Sequence, residues 1–160
     1  MKKILFTAVL ACLAAACIAP LPQVPKLNLS LPVAATEETS WNSADYKGKP
    51  ILIAFMGSWC PWCKRSLPAL DAASAAFAGK AEVVGAFADS DKEAVLAVIK
   101  QHNMQTKALY NARQAGTEMG VQGFPHIMLF DKKHRLVRTW NGYSPDLEAQ
   151  FKNELTKLTK

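Results

Sequence analysis

Cys60 and Cys63 stand three positions apart in Trp59-Cys60-Pro61-Trp62-Cys63, where an apolar strand-like run gives way to a helix-like one. Two thiols at this spacing can close and reopen a disulfide with each other. A helix start adds unpaired N–H groups and the positive end of the dipole, and both favour a thiolate over a thiol. Cys60 falls at that terminus and Cys63 one turn further in, on the same face. Reversible disulfide chemistry is the reading this arrangement suggests. Two other readings compete with it. A structural staple is one, but so short a loop removes little unfolded-state entropy. Half a zinc site is the other, but His102, His126 and His134 supply no second paired motif to complete it. No metal site and no cofactor are therefore expected.

The elements that must position the pair follow from periodicity. Residues 51–56 are continuously apolar, as in a strand buried on both faces, and Gly57-Ser58 ends them. Leu67, Leu70, Ala73, Ala76 and Phe77 then predict a helix over 61–78, with Pro61 in the first turn, Gly79 as the stop and Pro68 as an internal kink. A second buried strand is expected at 82–88, and Asp89-Ser90-Asp91 offers caps for a helix at 92–102. A short strand near 108–110 and a short helix near 113–119 come next. Gly120-Val121-Gln122-Gly123 breaks the pattern before Pro125. Strands at 126–130 and 136–140 around Asp131-Lys132-Lys133 form a hairpin, and an amphipathic helix at 145–158 closes the chain. The order predicts an α/β domain, a central mixed β-sheet flanked by helices, without internal repeats.

The chain has 160 residues, 50% of them hydrophobic and 20% charged, which suits one folded domain with an appendage. Its formal charge of +6 includes Lys2 and Lys3, and the basic residues form no long cluster along the sequence, so no nucleic acid is expected as a partner. Lys2 and Lys3 followed by the uncharged apolar run 4–18 read as an export segment, shorter than the roughly 20 residues a membrane-spanning helix needs. Leu13-Ala14-Ala15-Ala16-Cys17 resembles the lipobox of bacterial lipoproteins, which implies a lipidated Cys17. A plain secretory signal cut near Ala14–Ala16, with Cys12 and Cys17 incidental, is the alternative. The expected division is a signal segment over 1–17, a Pro-rich linker over 18–40 carrying Pro20, Pro22, Pro25 and Pro32, and the domain over 41–160.

With these motifs assembled, the chain resembles the thioredoxin superfamily and, within it, the TlpA/ResA-like exported thiol-disulfide oxidoreductases. The resemblance rests on three features: the strand-W-C-x-x-C-helix junction, Pro68 five residues after the second cysteine, and Val121-Gln122-Gly123-Phe124-Pro125 running into a strand and an acidic turn. It implies a thioredoxin-like fold and a cis bond at Phe124-Pro125 beside the cysteines, where the backbone before the proline pairs with an extended substrate segment. The 61 residues between Cys63 and Pro125 leave room for the extra strand-helix unit of this branch. One departure stands out: Ala54 occupies the position where thioredoxin carries a buried carboxylate. Glu82, Asp89, Glu118 or a water are the candidates to receive the proton of Cys63 in its place.

The mechanism that follows has Cys60 as nucleophile and Cys63 as resolving thiol. Phe124, Pro125, Trp59 and Trp62 are the expected substrate-binding residues, with Trp59 the more packed of the two tryptophans and Trp62 the more exposed. His126 is read as a structural strand residue. The expected partners are disulfide-containing exported proteins, a membrane or periplasmic electron donor, and the membrane through a lipid anchor in the bacterial envelope. A peroxide-reducing protein and a copper or zinc carrier on the same fold are the competing functions.

Overall fold

The computed structural model describes residues 26–36 and 39–160. The signal segment over 1–17 and the lipidation of Cys17 lie outside the described residues. Two short strands, β1 (Ser30–Pro32) and β2 (Ser40–Asn42), pair antiparallel ahead of a 3-10 turn at Ser43–Tyr46. Five longer-range strands follow: β3 (Ile51–Met56), β4 (Glu82–Phe87), β5 (Lys107–Leu109), β6 (His126–Phe130) and β7 (Leu136–Asn141), ordered β5-β4-β3-β6-β7. The first three run parallel, while β6 is antiparallel to β3 and β7 to β6. Helices α1 (Pro61–Ala76), α2 (Lys92–His102), α3 (Arg113–Glu118) and α4 (Leu147–Leu158) cover the sheet. This is the mixed α/β arrangement the sequence predicts.

The centre of the sheet is apolar on both faces, and that is why β3 shows no alternation. Leu52, Ala54 and Met56 point into a core shared with Leu67 and Leu70 of α1, Val95 and Val98 of α2, and Phe151 and Leu155 of α4. Ile51, Ile53 and Phe55 point the other way, into a core with Val84, Leu109, Met128 and Phe130. Helical periodicity closes the first core. The second is closed largely by the N-terminal segment, through Leu27, Leu29, Leu31, Val33 and Trp41.

The expected linker over 18–40 therefore requires correction in its described part. Leu27, Leu29, Leu31 and Val33 are buried at every second residue, as a strand with one covered face demands. Pro32 is tolerated because it lies in a short edge strand, where its missing N–H breaks no ladder and its carbonyl accepts from Tyr110 N–H at 3.0 Å. The folded unit begins by Leu27, not near Trp41. Among the described residues, no helix is long and apolar enough to cross a membrane.

Candidate active site

Cys60 caps α1. Its backbone is extended (φ −89°, ψ 111°), its N–H donates to the Gly57 carbonyl at 3.0 Å, and its Sγ accepts the Cys63 N–H at 3.1 Å. Pro61 follows at the first helical position, where its absent N–H leaves no bond unmade. The two cysteines are joined as a disulfide with their Cα atoms 5.3 Å apart. Cys60 is 8% exposed and Cys63 1%, so Cys60 is the sulfur an incoming group meets first. The first turn of α1 carries no acidic residue, which leaves the helix terminus unneutralised around Cys60.

The approach to Cys60 is held from the neighbouring strand. Asp89, just past the end of β4, accepts the Ser58 N–H at 3.0 Å and the Ser58 hydroxyl at 2.5 Å. The Trp59 ring lies over Gly57, close enough that a Cβ there would stand 2.7 Å from it. Trp59 is 53% exposed, as open as Trp62 at 52%. The expectation of a packed Trp59 is corrected accordingly. Its ring edge meets Phe124 (centroids 6.2 Å) and the Arg113 guanidinium lies 5.5 Å from its centre. Trp62 stacks on Tyr143 at 5.8 Å, with Arg65 4.6 Å from its ring centre.

The Phe124-Pro125 peptide is cis. Pro125 is buried and its carbonyl accepts at 2.8 Å from the N–H of Gly142, which follows β7 and takes φ +82°. That bond places Tyr143 next to Trp62, so the loop after β7 completes an aromatic rim. A cleft of about 320 Å³ opens beside Trp59, bounded by Asp89, Asn111 and Arg113. Neither Tyr143 nor Arg113 is marked by a local motif; only the tertiary fold brings them to the cysteines.

The three carboxylates considered for Cys63 part company in the structure. Glu82 pairs in register with Ile51, at the end of β3 remote from the cysteines, and accepts from Trp41 Nε1 at 3.0 Å. Glu118 lies on the exposed side of α3 and accepts from Gln114. Asp89 alone borders the active-site loop, with both oxygens engaged by Ser58. Ala54 is fully buried on the same face of the sheet as Cys63. His126 is half-buried at the start of β6 opposite Phe55, and burial holds its pKa below the ordinary histidine value. Asp91, not Asp89, is the residue that caps α2, accepting from Glu93 N–H at 3.0 Å. Among the described residues, no group of three or more His, Cys, Asp or Glu side chains is placed to hold a metal ion.

A parallel-antiparallel sheet with a C-x-x-C pair capping the helix after its central strand, and a cis-proline in the neighbouring segment, defines the thioredoxin-like class. The Redoxin family matches residues 20–155, and the chain belongs to that family, on the TlpA/ResA-like side of the thioredoxin superfamily. It is similar to the thiol-disulfide oxidoreductase ResA of Bacillus thuringiensis subsp. konkukian, with 26% identity over 117 residues covering 72% of this chain and 66% of that protein. It is also similar to the protein disulfide-isomerase erp38 of Neurospora crassa, with 29% identity over 119 residues covering 71% of this chain and 28% of that one. The chain thus spans just under two thirds of the first of these and under a third of the second. The fold is shared with the thioredoxin domain of a Bacteroides vulgatus thiol-disulfide oxidoreductase, at a TM-score of 0.72 and 20% identity, covering 84% of this chain and 99% of that domain.

Proposed function

We propose that the chain is an envelope thiol-disulfide oxidoreductase working as a reductase on disulfides of exported proteins. The observation that carries the reading is the Cys60–Cys63 pair at the start of α1, one sulfur reachable and the other enclosed. In the reduced protein, the Cys60 thiolate attacks one sulfur of the substrate disulfide. That S–S bond breaks, a mixed disulfide forms through Cys60, and the first substrate sulfur leaves as a thiolate that takes up a proton. Cys63 then gives up its proton and attacks Cys60 Sγ, which breaks the mixed disulfide and releases the second substrate thiol. Two electrons have passed to the substrate, and Cys60–Cys63 is oxidised. A dithiol donor of the membrane or periplasm returns two electrons by the reverse exchange.

The rim supports the substrate side of this reading. Phe124, just before the cis-proline, is the residue whose backbone would meet an extended substrate segment, and Trp59 and Trp62 supply exposed apolar surface on either side of Cys60 in the sequence. The export reading places the domain in the cell envelope, held by a lipid on Cys17.

Trapping tests the proposal. Full-length protein carrying Cys63→Ser is expected to accumulate reductant-sensitive adducts with exported proteins, in the membrane fraction. Adding Cys17→Ser moves those adducts to the salt-washed soluble fraction, and adding Cys60→Ser abolishes them. Absence of adducts, together with a wild type that reduces a model disulfide no faster than free dithiol, removes the redox reading. Unchanged fractionation of the Cys17→Ser form removes the anchor alone.

A further inference from the structure

The fold gathers lysines that the sequence scatters. Lys47 and Lys49 lie just before β3, Lys80 just before β4, Lys132 and Lys133 in the β6–β7 turn, and Lys26 opens the described chain. Main-chain bonds fix these segments at one end of the sheet. Gly48 N–H donates to the Lys132 carbonyl at 3.2 Å, Glu82 N–H to the Pro50 carbonyl at 3.0 Å, and Leu27 N–H to the His134 carbonyl at 3.1 Å. All six lysines are exposed, and among the described residues none is paired with an Asp or Glu side chain. Lys132 Nζ instead donates to a main-chain oxygen of Lys160 at 3.0 Å. Nearby acidic groups do little to offset them: Asp131 is engaged by Arg135 at 2.7 Å and Glu82 by Trp41 and Lys107, which leaves Asp45.

We propose that this lysine pole docks on an anionic lipid surface, with the Cys60–Cys63 end of the domain turned away from it. Charge complementarity is the first argument, since lysines arrayed as separate point charges suit a layer of anionic headgroups. The second is where the chain enters. Leu27 joins the domain at this pole, and only residues 19–26 separate it from the end of the apolar run 4–18. Fully extended, those eight residues reach no more than about 28 Å. An apolar segment or a lipid on Cys17 resting in a bilayer holds the domain close to the headgroups from its lysine pole, and the charge of that pole decides which end meets them. The six residues of β3 separate the two ends by about 20 Å, which leaves the rim open to substrates. A nucleic-acid partner is less well served, because the arginine of this pole, Arg135, is already committed to Asp131. The proposal does not depend on the redox reading, and Leu27 enters at the same pole whether the run 4–18 or a lipid on Cys17 is what rests in the bilayer.

Flotation of the full-length protein with vesicles tests it, comparing phosphatidylglycerol mixed into phosphatidylcholine with phosphatidylcholine alone. The apolar run contributes to both; the lysine pole contributes only to the first. The wild type is expected to prefer the anionic vesicles and to lose that preference at high salt. Lys47→Gln/Lys132→Gln should reduce the preference about 25-fold, from roughly fivefold per lysine. Lys92→Gln/Lys152→Gln, which removes the same charge from the start of α2 and the middle of α4, should keep it. Disulfide exchange on a soluble substrate reports folding of each variant, and Lys49→Gln/Lys133→Gln serves if the first pair does not fold. Equal wild-type partition onto both vesicle types, equal loss in the pole and distal variants, or tighter binding to duplex DNA than to the vesicles at one salt concentration each overturns the proposal.

Discussion

Cys60 owes its position to the residues on both sides of it. Behind it, Cys63 N–H and the unneutralised terminus of α1 favour charge on its sulfur. In front, Ser58 is pinned by two hydrogen bonds to one carboxylate, Asp89. Asp89→Ala should remove both bonds and leave a part-buried N–H without a partner, at a cost of about 2 kcal/mol in urea unfolding. It should also slow disulfide exchange, because the loop that presents Cys60 loses its tie to β4, while Asp89→Asn retains one bond and falls between. Wild-type stability and exchange rate in the Ala variant would show that Gly57 and the helix cap hold the loop by themselves. The pairing of the cysteines and the cis bond before Pro125 were legible because each belongs to a motif a few residues long, whereas the exposure of Trp59 was not. Asp89 was legible only as a potential cap or base, since its bond to Ser58 spans 31 positions and has no local signature. Tyr143 left no trace at all.

At the level of elements, periodicity carried most of the information, because each long element buries a face and must repeat at 2.0 or 3.6 residues. Helix α2 occupies the residues its pattern marks, and the β6–β7 hairpin forms around the turn its acidic and basic residues mark. That turn is an electrostatic device. Burial works to raise the Asp131 pKa, but hydrogen bonds from the Arg135 backbone and guanidinium and from the Lys133 N–H outweigh it and hold the carboxyl below its ordinary value. A carboxylate whose folded pKa is depressed stabilises the fold above its unfolded pKa, near 3.8, and that contribution is lost as pH falls through the lower folded value. Asp131→Asn should therefore lower the Tm at neutral pH, with the gap from wild type narrowing as pH falls below the unfolded value near 3.8. A gap that stays constant across an acid titration would mean that the turn is held by its backbone bonds alone. The charges of the neighbouring lysines, by contrast, were visible in the sequence only as scattered residues; their concentration at one pole required the strand register.

For the molecule as a whole, the main revision concerns where the fold begins. Leu27, Leu29, Leu31 and Val33 carried a period-two signal, but Pro20, Pro22, Pro25 and Pro32 spoke for an extended tether, and proline density is a property of composition, whereas burial depends on what lies opposite. What lies opposite is the face of β3 and β4 that α1, α2 and α4 leave bare: Ile51, Ile53, Phe55 and Val84. Without the N-terminal segment, that face would keep only the cover that α3 and its neighbours give it, through Ala112, Ala115 and Met119. The segment is also bonded at both ends, through Leu29 N–H to Ser43 Oγ at 3.0 Å and Ala34 N–H to the Ala108 carbonyl at 2.9 Å. Leu29→Ala and Leu31→Ala should each destabilise the protein by about 2–5 kcal/mol, the range for emptying a buried leucine site. Both should leave the Cys60–Cys63 exchange chemistry intact in the folded fraction, since the altered core lies on the other face of the sheet from Cys63. Urea titrations of the single variants check this, with the double variant expected to unfold near neutral conditions. A loss of less than about 0.5 kcal/mol, typical of surface substitutions, would show that the segment is draped over the domain and contributes nothing to its core.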